Sequence, residues 1–407
     1  MAASLPSSLD AVIVGGGLTG LALGVALGRA ALDVLIVERA PMARLVAPGF
    51  DGRVTAVARG SKLLLDGIGV WPALTPGAEP IRDIVVGEAG SAARVHYDHR
   101  EVGAEPLGWI VENRLLRGAL LTQLEGLPNV AVAAPARIAG LDRGAATVQL
   151  TLDDGRRFRA PILIAAEGKE SATRQVAGIG VRRWDYAQTG IVCTLTHEKP
   201  HEGLAVERFF PDGPFALLPL TGNRSSIVWA LRADRARTVT SLDDADFLAE
   251  VAERAGDGLG ELSLEGPRWH YPLALVWADR YVDRRLALIG DAARGIHPIA
   301  GQGWNLALRD VAAIAELIVD RVRLGLDPGD EATLARYAAW RGFDSLALVA
   351  VTDGINRLFA NDIFPLELAR NAGLALVERI PVAKRFFMRH AMGLVGDLPR
   401  LMRGEPL

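Results

Sequence analysis

The chain has 407 residues, half of them hydrophobic, so one large domain or two intertwined ones can bury a sizeable core. Its net charge of −3 leaves no electrostatic footprint for nucleic acid. Cys193 is the only cysteine, which excludes an intrachain disulfide and a cysteine-cluster metal site and fits a reducing compartment.

Ala11 to Gly28 carries no charge, and its 18 residues have the length of a signal peptide or a membrane span. No basic region precedes it, Asp10 does, and glycines at 15, 16, 17, 20, 24 and 28 suit close backbone packing better. The segment divides instead into a strand at Ala11–Val14, a turn, a helix from Leu21 to Ala30 and a second strand at Val34–Val37. The turn, Gly15-Gly16-Gly17-Leu18-Thr19-Gly20, is G-x-G-x-x-G, which lets a pyrophosphate approach the N-terminus of the following helix. Glu38 ends the second strand in the place of an acid that binds a ribose hydroxyl, with Arg39 beside it. Both strands, the helix and the acid at that distance predict a dinucleotide site rather than a glycine-rich packing turn.

Phe50-Asp51-Gly52-Arg53 comes next; Arg53 either reaches a bound diphosphate or ring, or is a solvated loop charge. A helix is expected from about Ser61 to Leu65, a Pro/Gly-rich connection over 72–80, a strand at Ile81–Glu88, and a helix over Glu112 to Leu124 with Asn113 at its start. Val130 to Ile164 is strand-rich, with a hairpin formed by Thr147–Leu152, the turn Asp153-Asp154-Gly155 and Arg157–Ala160. Ile162–Ala165 is a further buried-type strand that ends at Glu167-Gly168, and Ser171 is placed to cap the helix after it. From Val181 to Tyr271, alternating segments at Gly190–His197, Leu204–Phe210, Phe215–Leu218 and Ser225–Leu231 predict a mostly antiparallel sheet, interrupted by a helix over Asp243 to Ala255. Cys193 and His197 fall on one face of a strand, and read as a core cysteine and a strand-end histidine rather than a nucleophile–base pair. His96, His99, His201 and His270 lack ligand spacing, so no metal is expected.

Arg285 to Val311 repeats the strand–loop–helix pattern. Leu286 to Ile289 reads as a buried strand, Gly290-Asp291 ends it, and a loop with Gly301 and Gly303 leads into a helix marked by Leu306, Leu308, Val311, Ala312, Ala315 and Leu317. Such a loop presents helix N–H groups to an anion or a polar ring. Residues 331–350 are expected as one helix and 353–403 as several, broken at Pro365, Pro381 and Pro399. Arg379 to Arg403 holds basic residues at 379, 384, 385, 389, 400 and 403 against Asp397 alone, interleaved with Phe386, Phe387, Met388 and Met392. That pattern fits an anionic membrane surface or a packed helix pair with a solvated basic face.

Taken together, Gly15 to Gly20, Glu167-Gly168 with Ser171 and Arg174, and Gly290-Asp291 resemble the three marks of single-component FAD-dependent aromatic hydroxylases. More narrowly, His297-Pro298-Ile299-Ala300-Gly301-Gln302-Gly303-Trp304-Asn305, together with Phe215 to Leu220, Asp353 to Phe359 and Gly396 to Leu401, resembles the hydroxylases of ubiquinone biosynthesis, over nearly the whole chain. Glu167 departs from the family's aspartate, Arg294 from its histidine and Ala307 from its glycine. The resemblance implies an α/β protein: a discontinuous Rossmann-like FAD-binding domain (1–75, 101–180, 280–330), an inserted mostly antiparallel β-sheet substrate domain (76–100, 181–279) and a helical C-terminal region (331–407). It implies FAD held by Gly15, Gly17, Leu18, Thr19, Gly20, Glu38, Arg39, Arg53, Asn113, Glu167, Gly168, Gly290 and Asp291, with Pro298, Gly301, Gln302, Gly303, Trp304 and Asn305 facing the flavin. It also implies transient reduction by NAD(P)H, oxygen as co-substrate, and hydroxylation of a polyprenylated phenol through a flavin C4a-hydroperoxide, with no side chain identified as the base. No second G-x-G-x-x-G is present for a stable NAD(P)H domain. The implied setting is cytoplasmic and peripheral on the inner face of the cell membrane, through Arg379–Arg403, alongside other quinone-biosynthesis proteins. The alternatives are a hydroxylase of a small soluble aromatic and a non-catalytic FAD-binding member of a biosynthetic complex.

Overall fold

The computed structural model describes residues 8–41, 52–297, 301–342, 373–374 and 376–407. Five short strands form a parallel sheet in the order Leu286–Leu288, Leu163–Ala165, Ala11–Val14, Val34–Val37 and Val130–Ala133, and Val282–Asp283 closes one edge antiparallel. The strands AVIV, VLIV and LIA are buried at every position, the pattern of parallel strands covered on both faces. Helix Leu18–Arg29 packs against helices Asn113–Glu125 and Gly303–Arg323. It also lies close on the sheet. A Cβ added at Gly24 would sit 2.5 Å from Ile36 Cδ1, and one at Gly28 would sit 2.4 Å from Val130 Cγ2. The uncharged stretch 11–28 is therefore a strand and a buried helix, and its later glycines serve helix–sheet contact.

The second large sheet has eight strands, in the order Arg94–Asp98, Asp83–Glu88, Leu204–Phe210, Gly213–Leu220, Arg224–Arg232, Val181–His197, Leu262–Ala278 and Arg294–Gly295. It is antiparallel except where Asp83–Glu88 runs beside Leu204–Phe210. Phe215, Trp229 and Ile227 on one face pack against Val239, Phe247 and Val251 from helices Ala233–Ser241 and Asp244–Ala255. Cys193 belongs to this core, and burial pushes its thiol up to about 12. His197 is held between the Lys199 carbonyl at Nδ1, 2.7 Å away, and Ser225 Oγ at Nε2, 3.0 Å away, which leaves it no role as a base toward Cys193.

Several local expectations need correcting. Ile81–Glu88 is not one strand: Ala78–Ile81 pairs with Gly108–Glu112 in a small three-stranded sheet, and Asp83–Glu88 joins the large one. Arg82 is the switch, its N–H donating to the Gly203 carbonyl at 2.9 Å. The connection over 72–80 holds a helical turn at Trp71–Leu74, a 3₁₀ turn at Thr75–Gly77 and the start of that strand. The helix expected at 243–255 is preceded by another, Ala233–Ser241, and Asp243 separates them by accepting the Asp246 N–H at 2.9 Å. Strand Leu262–Ala278 runs through Gly266 and Pro267, which masked it in the sequence. The 153–155 turn forms as expected, with Gly155 at φ +87° joining Val148–Leu152 to Arg157–Ala160. Residues 331–342 are helical, and Pro381–Ala391 forms a helix near the C-terminus. Phe50-Asp51, Pro298-Ile299-Ala300, the end of the expected 331–350 helix, the 353–359 motif and the Pro365 break lie outside the described residues.

Candidate functional site

One cavity of about 2240 Å³ runs from the Gly15–Gly20 turn to the apolar face of the eight-stranded sheet. A pocket for a drug-sized ligand rarely exceeds about 1,000 Å³, so this one has room for a large cofactor and a second molecule. Two helix N-termini open on it. Gly17 caps Leu18–Arg29 and Gln302 caps Gly303–Arg323, neither with a side-chain hydrogen bond, so neither cap side chain occupies the first-turn N–H groups that face a ligand.

The glycines of the turn are not equivalent. Gly15 has φ +111°, and a Cβ there would lie 2.6 Å from the Ala166 carbonyl oxygen. A Cβ on Gly20 would lie 1.9 Å from the Gly15 oxygen. These two positions are closed by the fold itself. Gly17 has an ordinary extended backbone and nothing within 4 Å of an added Cβ, so the space it keeps open belongs to the cavity. Glu38 fixes the far wall, accepting the Gly16 N–H through Oε2 and the Ala40 N–H through Oε1, each at 2.7 Å.

Of the other expected site residues, Leu18, Thr19, Arg39, Arg53, Asn113, Glu167, Gly168, Asp291, Gly301, Gln302, Gly303, Trp304 and Asn305 line the same cavity. Gly20 and Gly290 stand behind its wall, and Pro298 lies outside the described residues. Asn113 Oδ1 accepts Thr55 Oγ1–H at 2.6 Å, and its backbone N–H reaches the Arg53 carbonyl at 3.0 Å. Glu167 turns back to the backbone: Oε2 accepts from Ser171 Oγ at 2.6 Å and from the Thr173 N–H at 3.0 Å, so it caps helix Ala172–Val176 while facing the cavity. Asn305 is a clamp whose amide accepts the Ala58 N–H at 2.9 Å and donates to the Ala56 carbonyl at 2.8 Å. Gln302 donates to the Ala391 carbonyl at 3.3 Å, tying the loop to the C-terminal helix.

Asp291 is open to the cavity but enclosed by protein beyond it. Lost hydration raises its carboxyl above the usual range, partly offset by Lys169 and Arg294. Its turn is anchored from below by a buried cluster. Asp310 Oδ2 accepts the Gly290 N–H at 2.9 Å, while Oδ1 accepts from Arg294 at 2.6 Å and Arg341 at 2.8 Å. Arg294, the departure from the family's histidine, is thus an ion-pair partner beneath the site. Ala307, the other departure on this element, is buried against Gly290.

Sequence reading missed Glu207, Tyr97, Tyr271 and Lys169, all of which line the cavity. Glu207 is the most unusual: loss of hydration alone pushes its carboxyl up to about 8. Tyr97 is pushed up to about 12 by burial and by Glu378. Either face of the strand Leu-Ala-Val-Glu-Arg-Phe-Phe carries one charge, so alternation could not tell which one turns inward.

The residues present fit FAD: two uncapped helix N-termini, an unobstructed Gly17, an acid at the second strand end and a cavity long enough for both halves of a dinucleotide. The family model described as an FAD binding domain matches residues 8–341. The chain is 49% identical to the ubiquinone hydroxylase UbiL of Rhodospirillum rubrum, over 98% of this chain and 93% of that one. It is 36% identical to the 3-demethoxyubiquinol 3-hydroxylase of Escherichia coli, over 95% of this chain and 98% of that one. Among solved structures, the fold is similar to p-nitrophenol 4-monooxygenase PnpA from Pseudomonas putida, with a TM-score of 0.78 at 18% identity over 96% of this chain and 99% of that one.

Proposed function

Because this chain belongs to the ubiquinone-biosynthesis family of FAD-dependent hydroxylases, we propose that it hydroxylates the ring of a polyprenylated phenol at the apolar sheet face of its cavity. It is an FAD-dependent aromatic-ring monooxygenase, with oxygen as co-substrate and NAD(P)H as the usual reductant of the class. The observation that most supports the substrate is the continuity of the cavity: the dinucleotide turn and a broad apolar face bound one space. FAD supplies the redox and oxygen-activating chemistry when bound. In this reading the chain's own residues have three tasks. Glu38 holds the turn and stands beside the ribose, the N-termini at Gly17 and Gly303 bind the diphosphate and the ring edge, and the apolar sheet excludes water from the reacting carbon. The division into 1–75, 101–180 and 280–330 for cofactor, 76–100 and 181–279 for substrate, and 331–407 as a helical cover follows the same reading.

The C-terminal helix supports access from a lipid surface. Val382, Phe386 and Phe387 are 72%, 56% and 44% exposed, and both phenylalanines also line the cavity. Arg379, Arg385 and Arg389 are exposed on the same segment. A polyprenylated phenol resides in the bilayer, since each buried CH₂ is worth about 0.8 kcal/mol there. No helix among the described residues is long and apolar enough to cross a membrane; the contact proposed here is peripheral, on the inner face of the cell membrane.

The deciding experiment is quinone-precursor analysis in cells lacking this protein, where the accumulated phenol identifies the blocked step. In vitro, the FAD-loaded protein should oxidise NAD(P)H and consume oxygen faster with a prenylated phenol than with the unprenylated one. Equal stimulation by both would favour a small soluble aromatic as substrate. A flavin that is never reduced would favour a non-catalytic role.

A further inference from the structure

Glu207 lies in the middle strand of a cross-strand row that is otherwise apolar. Its strand neighbours are Val86 on one side and Ala216 on the other, followed outward by Val95 beyond Val86 and Val228 beyond Ala216. All five residues line the cavity. Glu207 is the single charged-type side chain that the large sheet contributes to the cavity lining among the described residues. It is not part of the helix-packed core on the sheet's other face, which takes Val206 and Phe210 from the same strand. No hydrogen bond or ion pair is made by its carboxyl among the described residues.

Its side chain is partly exposed to the open cavity, and once a ligand displaces the water there a carboxyl without a partner becomes costly. Valine or leucine would complete the row at no such cost. The missing partner is therefore supplied by what occupies the cavity. On the reading that the occupant is a prenylated phenol, we propose that Glu207 is the hydrogen-bonding anchor for the oxygen on the aromatic ring. Burial keeps the carboxyl largely protonated at neutral pH, so it offers both a donor and an acceptor. Its O–H donates to the ring oxygen, and its carbonyl oxygen accepts the phenol O–H. No proton changes owner in this arrangement. One polar point on an apolar wall then sets which ring carbon is presented to the cofactor side, while the tail packs on Val86, Val95 and their neighbours.

The test compares binding of 2-prenylphenol and its methyl ether, 2-prenylanisole, to FAD-loaded protein by titration calorimetry. In the native protein the phenol should bind at least about tenfold tighter than the ether, as one buried hydrogen bond predicts. Glu207→Leu should remove that preference and leave ether binding unchanged or tighter. Glu207→Gln, which keeps a donor and an acceptor, should retain most of it. Native protein that binds both probes equally, or a phenol preference that survives in Glu207→Leu, overturns the anchor while leaving the hydroxylase reading intact. Failure of the native protein to bind either probe overturns both. The native phenol-to-ether ratio decides the matter even if Glu207→Leu does not fold.

Discussion

Gly17 and Glu207 carry the sharpest single-residue consequences. Gly17→Val fills space the fold leaves empty, so FAD occupancy of the purified protein should fall at least tenfold, while apo stability drops by only about 1 kcal/mol, the typical cost of a poor helix cap. Gly15→Val, by contrast, drives a Cβ into the Ala166 carbonyl and should damage both fold and flavin. Flavin content and urea unfolding on the two variants separate these outcomes; a yellow, fully loaded Gly17→Val would remove the turn from the site. Glu207 gives a pH signature. Its folded pKa of about 8 lies above the ordinary carboxyl value, so the native state holds a proton that the unfolded chain releases. Stability from this group is complete below about pH 4.5 and is lost as pH rises toward 8, by up to about 1.4 kcal/mol per pH unit. Glu207→Gln should therefore gain on the native protein steadily between pH 5 and 8 in urea unfolding. A constant difference across that window would mean the carboxyl is hydrated.

At the scale of elements, the strand end at Leu286–Leu288, the turn Gly290–Ala292 and helix Gly303–Arg323 are held as one unit by Asp310. Asp310 and its two arginines are almost completely buried, so removing the carboxylate takes away the ion-pair partner that both buried cations share. Asp310→Ala should cost about 3–5 kcal/mol and release FAD as the Asp291 turn loosens. An unfolding midpoint within a degree or two of the native value would show that the cluster is dispensable. Glu167 tests a smaller element. Because its Oε2 caps helix Ala172–Val176, Glu167→Gln weakens two hydrogen bonds at once. A loss of about 1–2 kcal/mol in stability is expected, together with weaker FAD retention, while Glu167→Asp shortens the reach to Thr173. Unchanged stability in Glu167→Gln would show the cap to be idle.

For the whole molecule, the question is which basic residues remain for a membrane. The tail's six basic residues do not act alike. Lys384 is buried, 2.7 Å from Glu101; Arg400 pairs with Asp320 and Arg403 with Glu405. Reversing Lys384 would break the docking of the helix rather than its lipid contact. Arg379, Arg385 and Arg389 are exposed, and so is Arg403, which is already paired with Glu405. Changing the first three to Glu should weaken co-sedimentation with anionic vesicles by roughly a hundredfold, at about 1 kcal/mol per basic residue, and leave FAD bound. Native binding should also fall with added salt. Salt-independent binding that survives the triple change would point to delivery of substrate by a protein partner instead.

Local pattern was enough wherever geometry rests on consecutive residues. Gly15 to Gly20, Glu38, the hairpin at 153–155 and Gly290-Asp291 could all be read directly, because a turn beside a helix N-terminus is specified by neighbours in the chain. Tertiary structure decided what depends on distant partners. Arg82 switches sheets because Gly203 waits across the fold. Asn305 clamps Ala56 and Ala58 from nearly 250 residues away. Glu207 faces the cavity only because helices Ala233–Ser241 and Asp244–Ala255 claim the other side of its strand. A strand with one charge on each face has no intrinsic inside; the packing of the second layer chooses it, and with it the side chain that this strand turns to the cavity.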